Sequence, residues 1–401
     1  MRVALVYDMV GGPGGGGGIA RAILELAIGL RDRGHDVVVV CHDFTPSGEF
    51  EQLTQGLDIQ ALRPGVADVP RGGPSIVNRH WLGMRRLAGL VPGDVDVVHA
   101  HNLPALRAGR LAAGRLGVPL VWTRYDDTIW ERGVIPRMTA RGAVSPVKRA
   151  GRVAFGLSEV RSVRRAGEIV VLSDFDSAMV RRAFRRRATV IRGGPADGFF
   201  ERPVDRERAR RELGVDDDEF LVFGFALMVP HRRFEDLIEA AALLRDEPQL
   251  RVLIGGSDSY DPEYGEQLEQ LVRARKLEER VKLDRRSVTD EELRARYAAA
   301  DLFAFTPSRQ SYGLAPLEAI ASGTPVIVSR GAGVHELLEG RPGIRIVSSN
   351  SPDEIAAAIR GARAGADGNG LEETARWIRE ELSSDAYAEA IEAVYERAAR
   401  A

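Results

Sequence analysis

The residues best placed to do chemistry lie between Val281 and Val328. A strand there ends at Thr306 and Pro307, and a small loop carries Arg309, Gln310, Tyr312 and Gly313. A helix opens near Leu314, with Glu318 one turn inside. Backbone N–H groups at a helix start carry the positive end of the helix dipole and suit a diphosphate. A carboxylate at Glu318 can accept hydrogen bonds from vicinal ribose hydroxyls; equally, an acid in a first turn stabilises its own helix. Near the N-terminus, Gly12-x-Gly14-x-x-Gly17 fits the dinucleotide fingerprint, with Asp43 near the end of the second strand where a dehydrogenase keeps its ribose carboxylate. Glycines this dense match many templates. What they establish is a backbone able to approach an anion or a sugar closely. His99 and His101 sit together at a strand end and are expected to point to opposite faces, so that they do not share a metal. The acidic runs at Asp126 and Asp216 read as turns, and no metal site is expected.

These residues need elements to hold them. Val3–Tyr7 is a short apolar run typical of a parallel strand buried on both faces. After the glycine loop, Ile23, Leu26, Ala27 and Leu30 recur at helical spacing, Gly34 ends the helix, and Asp36 leads into V-V-V-V. The alternation continues through Val95–Ala100, Leu120–Thr123 and Ile169–Leu172, which is the grammar of a doubly wound parallel sheet. Around Val190–Pro203 it breaks into glycine and proline. It then resumes with strands expected at Leu221–Ala226, Arg251–Ile254, Val281–Leu283, Leu302–Phe305, Pro325–Val328 and Ile344–Val347. Two Rossmann-like α/β domains facing each other across a cleft follow. The boundaries are 1–195 for an acceptor-side domain, 196–382 for a nucleotide-sugar domain and 383–401 for a C-terminal helix packing back on the first.

Composition narrows the classes. The 401 residues suit two domains, and 44% hydrophobic with 28% charged residues describes a chain with sizeable cores. Net charge is only −2, so no global field argues for nucleic acid, and a single cysteine, Cys41, excludes an internal disulfide framework. No window approaches the roughly 20 apolar residues of a membrane span. Met1–Tyr7 enters a strand pattern rather than a signal peptide, so a cytoplasmic location is expected. Residues 132–187 hold many arginines and few acids, which reads as a solvated surface or a peripheral contact with the anionic inner face of a membrane. Aromatic residues do not interleave with those charges, so nucleic acid is not an expected partner.

The order of motifs resembles the retaining glycosyltransferases of family 4, whose fold is called GT-B, and the resemblance covers almost the whole chain. It rests on Gly17-Gly18-Ile19-Ala20, on L-x-x-R-G-H-D-V-V-V-V across Leu30–Val40, on D-V-V-H-A-H-N ending at Asn102 and on P-L-V-W-T-R-Y-D ending at Asp126. In the second half it rests on Y-A-A-A-D-L-F-A-F-T-P-S and G-L-x-P-L-E-A-I-A-S-G-T-P-V-I. The resemblance implies transfer of a hexose from a UDP- or GDP-sugar to a hydroxyl acceptor, with retention, without cofactor and without bound metal. The donor is then a co-substrate held by Gly17, Gly18, His231, Arg309, Tyr312, Gly313, Leu314 and Glu318. Arg232, Arg233, Asp126 and Gln310 serve the reaction, and His99, Asn102 and Tyr125 the acceptor. Cations and backbone donors on the departing diphosphate supply much of such a rate. Three positions depart from the family: Gln310 stands for a glutamate, Tyr125 for a histidine, and Ala226 or Leu227 for a phosphate-binding arginine. These departures leave open a relative that binds nucleotide or glycan without turnover. The glycine loop alone leaves open an NAD-dependent oxidoreductase.

Overall fold

A computed structural model describes residues 1–11, 17–46, 49–65, 79–125, 146–201, 204–365 and 370–400. The chain forms two compact units. One joins Met1–Arg192 to Ser384–Ala401, and the other is Gly193–Ser383.

The first unit holds seven strands: β1 (Arg2–Gly11), β2 (Asp36–Thr45), β3 (Asp58–Pro64), β4 (Val97–His101), β5 (Leu120–Thr123), β6 (Glu168–Val171) and β7 (Thr189–Val190). Their order is β3-β2-β1-β4-β5-β6-β7, and every pairing is parallel. The β-branched runs explain this sheet: Val3–Val6 and Val38–Cys41 are fully buried, as strands covered by helices on both faces must be. The chain winds outward from β1 and then restarts at β4 on its other side. The carboxyl ends of β1 and β4 therefore diverge, which opens the crevice where such sheets bind ligands.

Two strands, β3 and β7, were not foreseen from the sequence. The edge strand β3 is half-buried along its length and mixes charged with apolar residues, so it lacks an alternating signature. Only two residues make β7. The C-terminal helix Ser384–Arg400 lies on the helix Gly17–Asp32, and Gly29 permits the approach: a Cβ there would sit 2.9 Å from that of Ala388. Glu392 fixes the crossing, accepting from Arg33 at 2.8 Å and pairing with His35 at 3.0 Å.

The second unit repeats the plan with six strands: β8 (Phe220–Phe225), β9 (Leu250–Gly255), β10 (Val281–Asp284), β11 (Leu302–Phe305), β12 (Val326–Ser329) and β13 (Ile344–Val347). Their order is β10-β9-β8-β11-β12-β13, again all parallel, so the switch falls between β8 and β11. Side-chain caps start the surrounding helices. Asp205 and Asp261 accept from the third backbone N–H beyond them, and Thr289 forms a reciprocal capping box with Glu292. Phe223, Phe303 and Tyr297 pack edge to face at the centre, with ring centroids 5.1–5.7 Å apart.

Candidate active site

In the second unit three loops at strand carboxyl ends are tied into one platform. The loop after β8 contains a short turn, Pro230–Arg232, ended by Arg233 in the left-handed conformation (φ 59°). Ser308, after β11, donates its backbone N–H to the His231 carbonyl at 2.9 Å. Gln310 donates its N–H to the Gly331 carbonyl at 2.8 Å and accepts from the Gly333 N–H at 3.0 Å, which fastens the β11 loop to the one after β12. Gly331 permits this contact, since a Cβ there would stand 2.2 Å from the Pro307 carbonyl oxygen.

On this platform the expected residues separate into two groups. The Arg232 guanidinium donates to the Gln310 side-chain oxygen, joining the β8 and β11 loops across the switch point. Arg233 turns away: it donates to Asp236 at 2.9 and 2.6 Å and pairs with Glu235 at 2.7 Å. Those acids hold its guanidinium above its ordinary pKa, Asp236 first. Of the two arginines, Arg232 is the one presented at the switch point, and Arg233 braces the start of the helix Phe234–Leu243. His231 is exposed, and Arg309, Gly313 and Leu314 are half-buried. Gly313 takes φ 119°, and a Cβ would press to 2.7 Å on the Phe305 ring. Tyr312 is buried instead, and its hydroxyl donates to the Gly193 carbonyl at 2.9 Å.

Glu318 lies in the first turn of the helix Ala315–Ala321 and accepts a hydrogen bond from the Tyr297 hydroxyl at 3.0 Å. Burial, and then the Glu318 charge, push the Tyr297 phenol well above its ordinary pKa, so it stays a donor. Sequence reasoning missed Tyr297. Its only signal was an aromatic residue within the Y-A-A-A-D run that precedes β11.

The first unit gathers aromatic and imidazole groups at the ends of β4 and β5. His99 is fully buried and both of its ring nitrogens are engaged, one with Tyr395 and the other with Thr123, each at 2.7 Å. The expectation that His99 and His101 face opposite sides is wrong. Residues two apart in a strand share a face, and the two rings lie 4.0 Å apart. Burial drives the His101 pKa down to about 3, and burial with the neighbouring His101 drives that of His99 well below the ordinary value, so both rings are neutral.

Asn102 adopts φ 67° and caps the helix Leu103–Leu116 through Ala105 N–H at 3.0 Å. Tyr125 stacks 6.1 Å from His101, and its phenol is raised well above normal by burial and then by the neighbouring Tyr387 hydroxyl. Gly17 and Gly18 open the helix Gly17–Asp32. Asp126 lies outside the described residues. Asp43 is 1% exposed and engaged by Arg79 at 2.5 Å, His42 at 3.0 Å and Arg63 at 3.5 Å. A carboxylate so enclosed is not presented to a ribose, which removes the residue on which the oxidoreductase reading depended. Among the described residues no group of three or more His, Cys, Asp or Glu could hold a metal ion. No described helix is long and apolar enough to cross a membrane.

The chain thus folds as two Rossmann-like α/β units, each switching strand order at a loop cluster. Family models agree along the chain: "Glycosyltransferase Family 4" matches residues 16–194 and "Glycosyl transferases group 1" matches residues 205–379. The D-inositol 3-phosphate glycosyltransferase of Nocardia farcinica is 30% identical over 373 residues, covering 85% of this chain and 76% of that protein. Its counterpart D-inositol 3-phosphate glycosyltransferase 1 of Catenulispora acidiphila is 28% identical over 370 residues, covering 89% and 85%. Among solved structures, Anabaena HepE in complex with UDP and glucose aligns with a TM-score of 0.76 at 20% identity over 99% of both chains. Sucrose-phosphate synthase from Thermosynechococcus elongatus aligns at 0.74, also 20% identical, over 99% of this chain and 98% of that one. The chain belongs to the family 4 glycosyltransferases.

Proposed function

We propose that this protein transfers a hexose from a UDP- or GDP-linked donor to an acceptor hydroxyl, with retention and without a metal. The observation that carries this reading is the β8/β11 switch point. There a cation, Arg232, stands on loops locked by backbone hydrogen bonds, and a carboxylate, Glu318, lies in the first turn of the helix that follows. Glu318 would accept from the ribose hydroxyls, its carboxylate oriented by Tyr297. Arg232, Arg309, His231 and the Gly313–Leu314 backbone would hold the diphosphate.

As the bond from the anomeric carbon to the phosphate oxygen breaks, its electron pair goes to the diphosphate and positive charge develops on the ring. Donors fixed beforehand on that oxygen lower the barrier. Retention brings the acceptor oxygen in on the face being vacated, so its proton passes to the departing diphosphate. Gln310, held by Arg232, offers its amide N–H groups to a sugar oxygen, where a glutamate would offer only acceptors. In the first unit Asn102, Tyr125 and Asp126 serve the acceptor, with His99 acting through Thr123 and Tyr395 as a positioning residue. Bound UDP and glucose in HepE, and the inositol 3-phosphate in the relatives' names, support a UDP-sugar as first donor to test and a polyol hydroxyl as acceptor.

The test is calorimetric titration of wild type and Glu318→Ala with UDP, GDP, dTDP and ADP, followed by turnover of the matching hexose donors with and without EDTA. Tight binding of UDP or GDP, lost in the variant, with EDTA-insensitive transfer, supports the reading. No nucleotide binding sinks it. Binding without transfer or donor hydrolysis leaves a nucleotide-binding relative that does not turn over.

A further inference from the structure

His99 and His101 share a face of the first sheet but differ in their hydrogen bonds. Tyr395 and Thr123 engage the two ring nitrogens of His99. His101 is fully buried as well, yet among the described residues neither its Nδ1 nor its Nε2 has a partner. Burial drives its pKa down to about 3, so the ring is neutral and carries one N–H donor and one lone pair. The protein answers neither. Leaving buried polar groups unmet costs folding free energy, which a phenylalanine of similar shape would not incur.

The position of the ring indicates what it is kept for. His101 is the last residue of β4 and pairs with Thr123, the last of β5. β1 pairs with β4 only as far as Val6 and Ala100, then runs on to Gly11 beside β2. The strand switch of the first sheet therefore opens at His101, where doubly wound sheets take their ligands. The rings of His99, His101 and Tyr125 stand in file, with centroids 4.0 and 6.1 Å apart. His99 backs the inner face of the His101 ring. Tyr125 is half-buried and forms the outer cover, so its movement aside would uncover the nitrogens.

We propose that His101, rather than His99, is the imidazole that binds the acceptor, donating to and accepting from hydroxyls of an uncharged polyol. The assignment rests on the reading of the chain as a glycosyltransferase with its acceptor in the first unit. A hydroxyl both donates and accepts, so neighbouring hydroxyls answer both nitrogens. A phosphate or carboxylate offers acceptors only and leaves the imidazole lone pair facing negative charge. The ring thus selects a neutral acceptor over a phosphorylated one.

The test is the imidazole nitrogen NMR spectrum of the full-length protein, with and without UDP, in which the His101 signals are those lost in His101→Phe. Adding myo-inositol, methyl glucoside or glycerol is expected to move them, and inorganic phosphate is not. His101→Phe should weaken the polyol that moves them about tenfold, as loss of two neutral hydrogen bonds does. UDP affinity stays as in wild type, and the melting temperature at neutral pH is equal or higher. His101→Asn keeps a donor and an acceptor and should recover part of the polyol affinity. Signals that no polyol moves overturn the proposal, as do larger shifts with phosphate. Polyol affinity unchanged in His101→Phe overturns it too; a lower melting temperature alongside would show that a buried water already satisfies the ring. A protein that binds UDP but no polyol sinks this inference alone, whereas one whose His101 answers polyols but which binds no nucleotide sinks only the enzymatic reading.

Discussion

Tyr297 donates to Glu318 from a fully buried position, so its hydroxyl does one thing that phenylalanine cannot. Tyr297→Phe removes a hydrogen bond to a charged group, a contact worth about 1.5–3 kcal/mol. The expected result is a folded protein whose UDP affinity falls several-fold, less than in Glu318→Ala, as read by titration. Affinity equal to wild type would show that the phenol does not orient the carboxylate. The buried histidines make a different prediction. Burial lowers His101 to about 3 and His80 to about 4, and holds His99 well below normal. In the unfolded chain all three take up protons below about 6.5. The folded pKa values are depressed, so the stabilisation is complete above 6.5 and is lost as pH falls through the window from 6.5 toward 3. Each histidine contributes up to about 1.4 kcal/mol per pH unit within that window. Melting temperature measured from pH 7.5 downward should drop, and His101→Phe should flatten the slope; a level profile would count against neutral buried imidazoles.

At the scale of elements, the site depends on how closely loops approach. Gly331→Ala places a methyl against the Pro307 carbonyl and must separate the β11 and β12 loops that hold Gln310. We expect a loss of about 1–3 kcal/mol, as for other overpacked positions, together with weaker nucleotide binding. Unchanged calorimetric affinity would uncouple the platform from the site. These approaches also mark what could be read from sequence. The placement of Glu318 in a first helical turn and the six strands of the second unit were legible, because short β-branched runs and a helix start after glycine are local signals. The edge strand β3 was not, being half-buried and mixed in composition. Nor was the division of labour between Arg232 and Arg233, which depends on Asp236 and Glu235 drawing the second arginine away. His99 and His101 were legible as a pair and were misjudged only through the geometry of a strand.

At the scale of the whole molecule, the two units differ in continuity. Gly193–Ser383 is one uninterrupted stretch, whereas the first unit needs Ser384–Arg400 to cover the helix Gly17–Asp32 and to give His99 its Tyr395 partner. Tyr387, Ala388, Ile391, Val394 and Tyr395 of that helix are all buried. Residues 193–383 expressed alone should therefore melt cooperatively, while residues 1–192 alone should not until a peptide of 384–400 is added. Circular dichroism on the fragments checks both, and cooperative melting of 1–192 by itself would refute the dependence.

That late helix also sets an order on synthesis. A ribosome delivers residues 384–400 only after the entire second unit has emerged, so the half of the protein made first is the half completed last. Until then, the groove that will receive Ile391 and Tyr395 stands uncovered on a nascent chain. A premature stop between residues 193 and 384 leaves that groove open, and quality control in the cell would meet such a product as an unfinished domain whatever the state of the second.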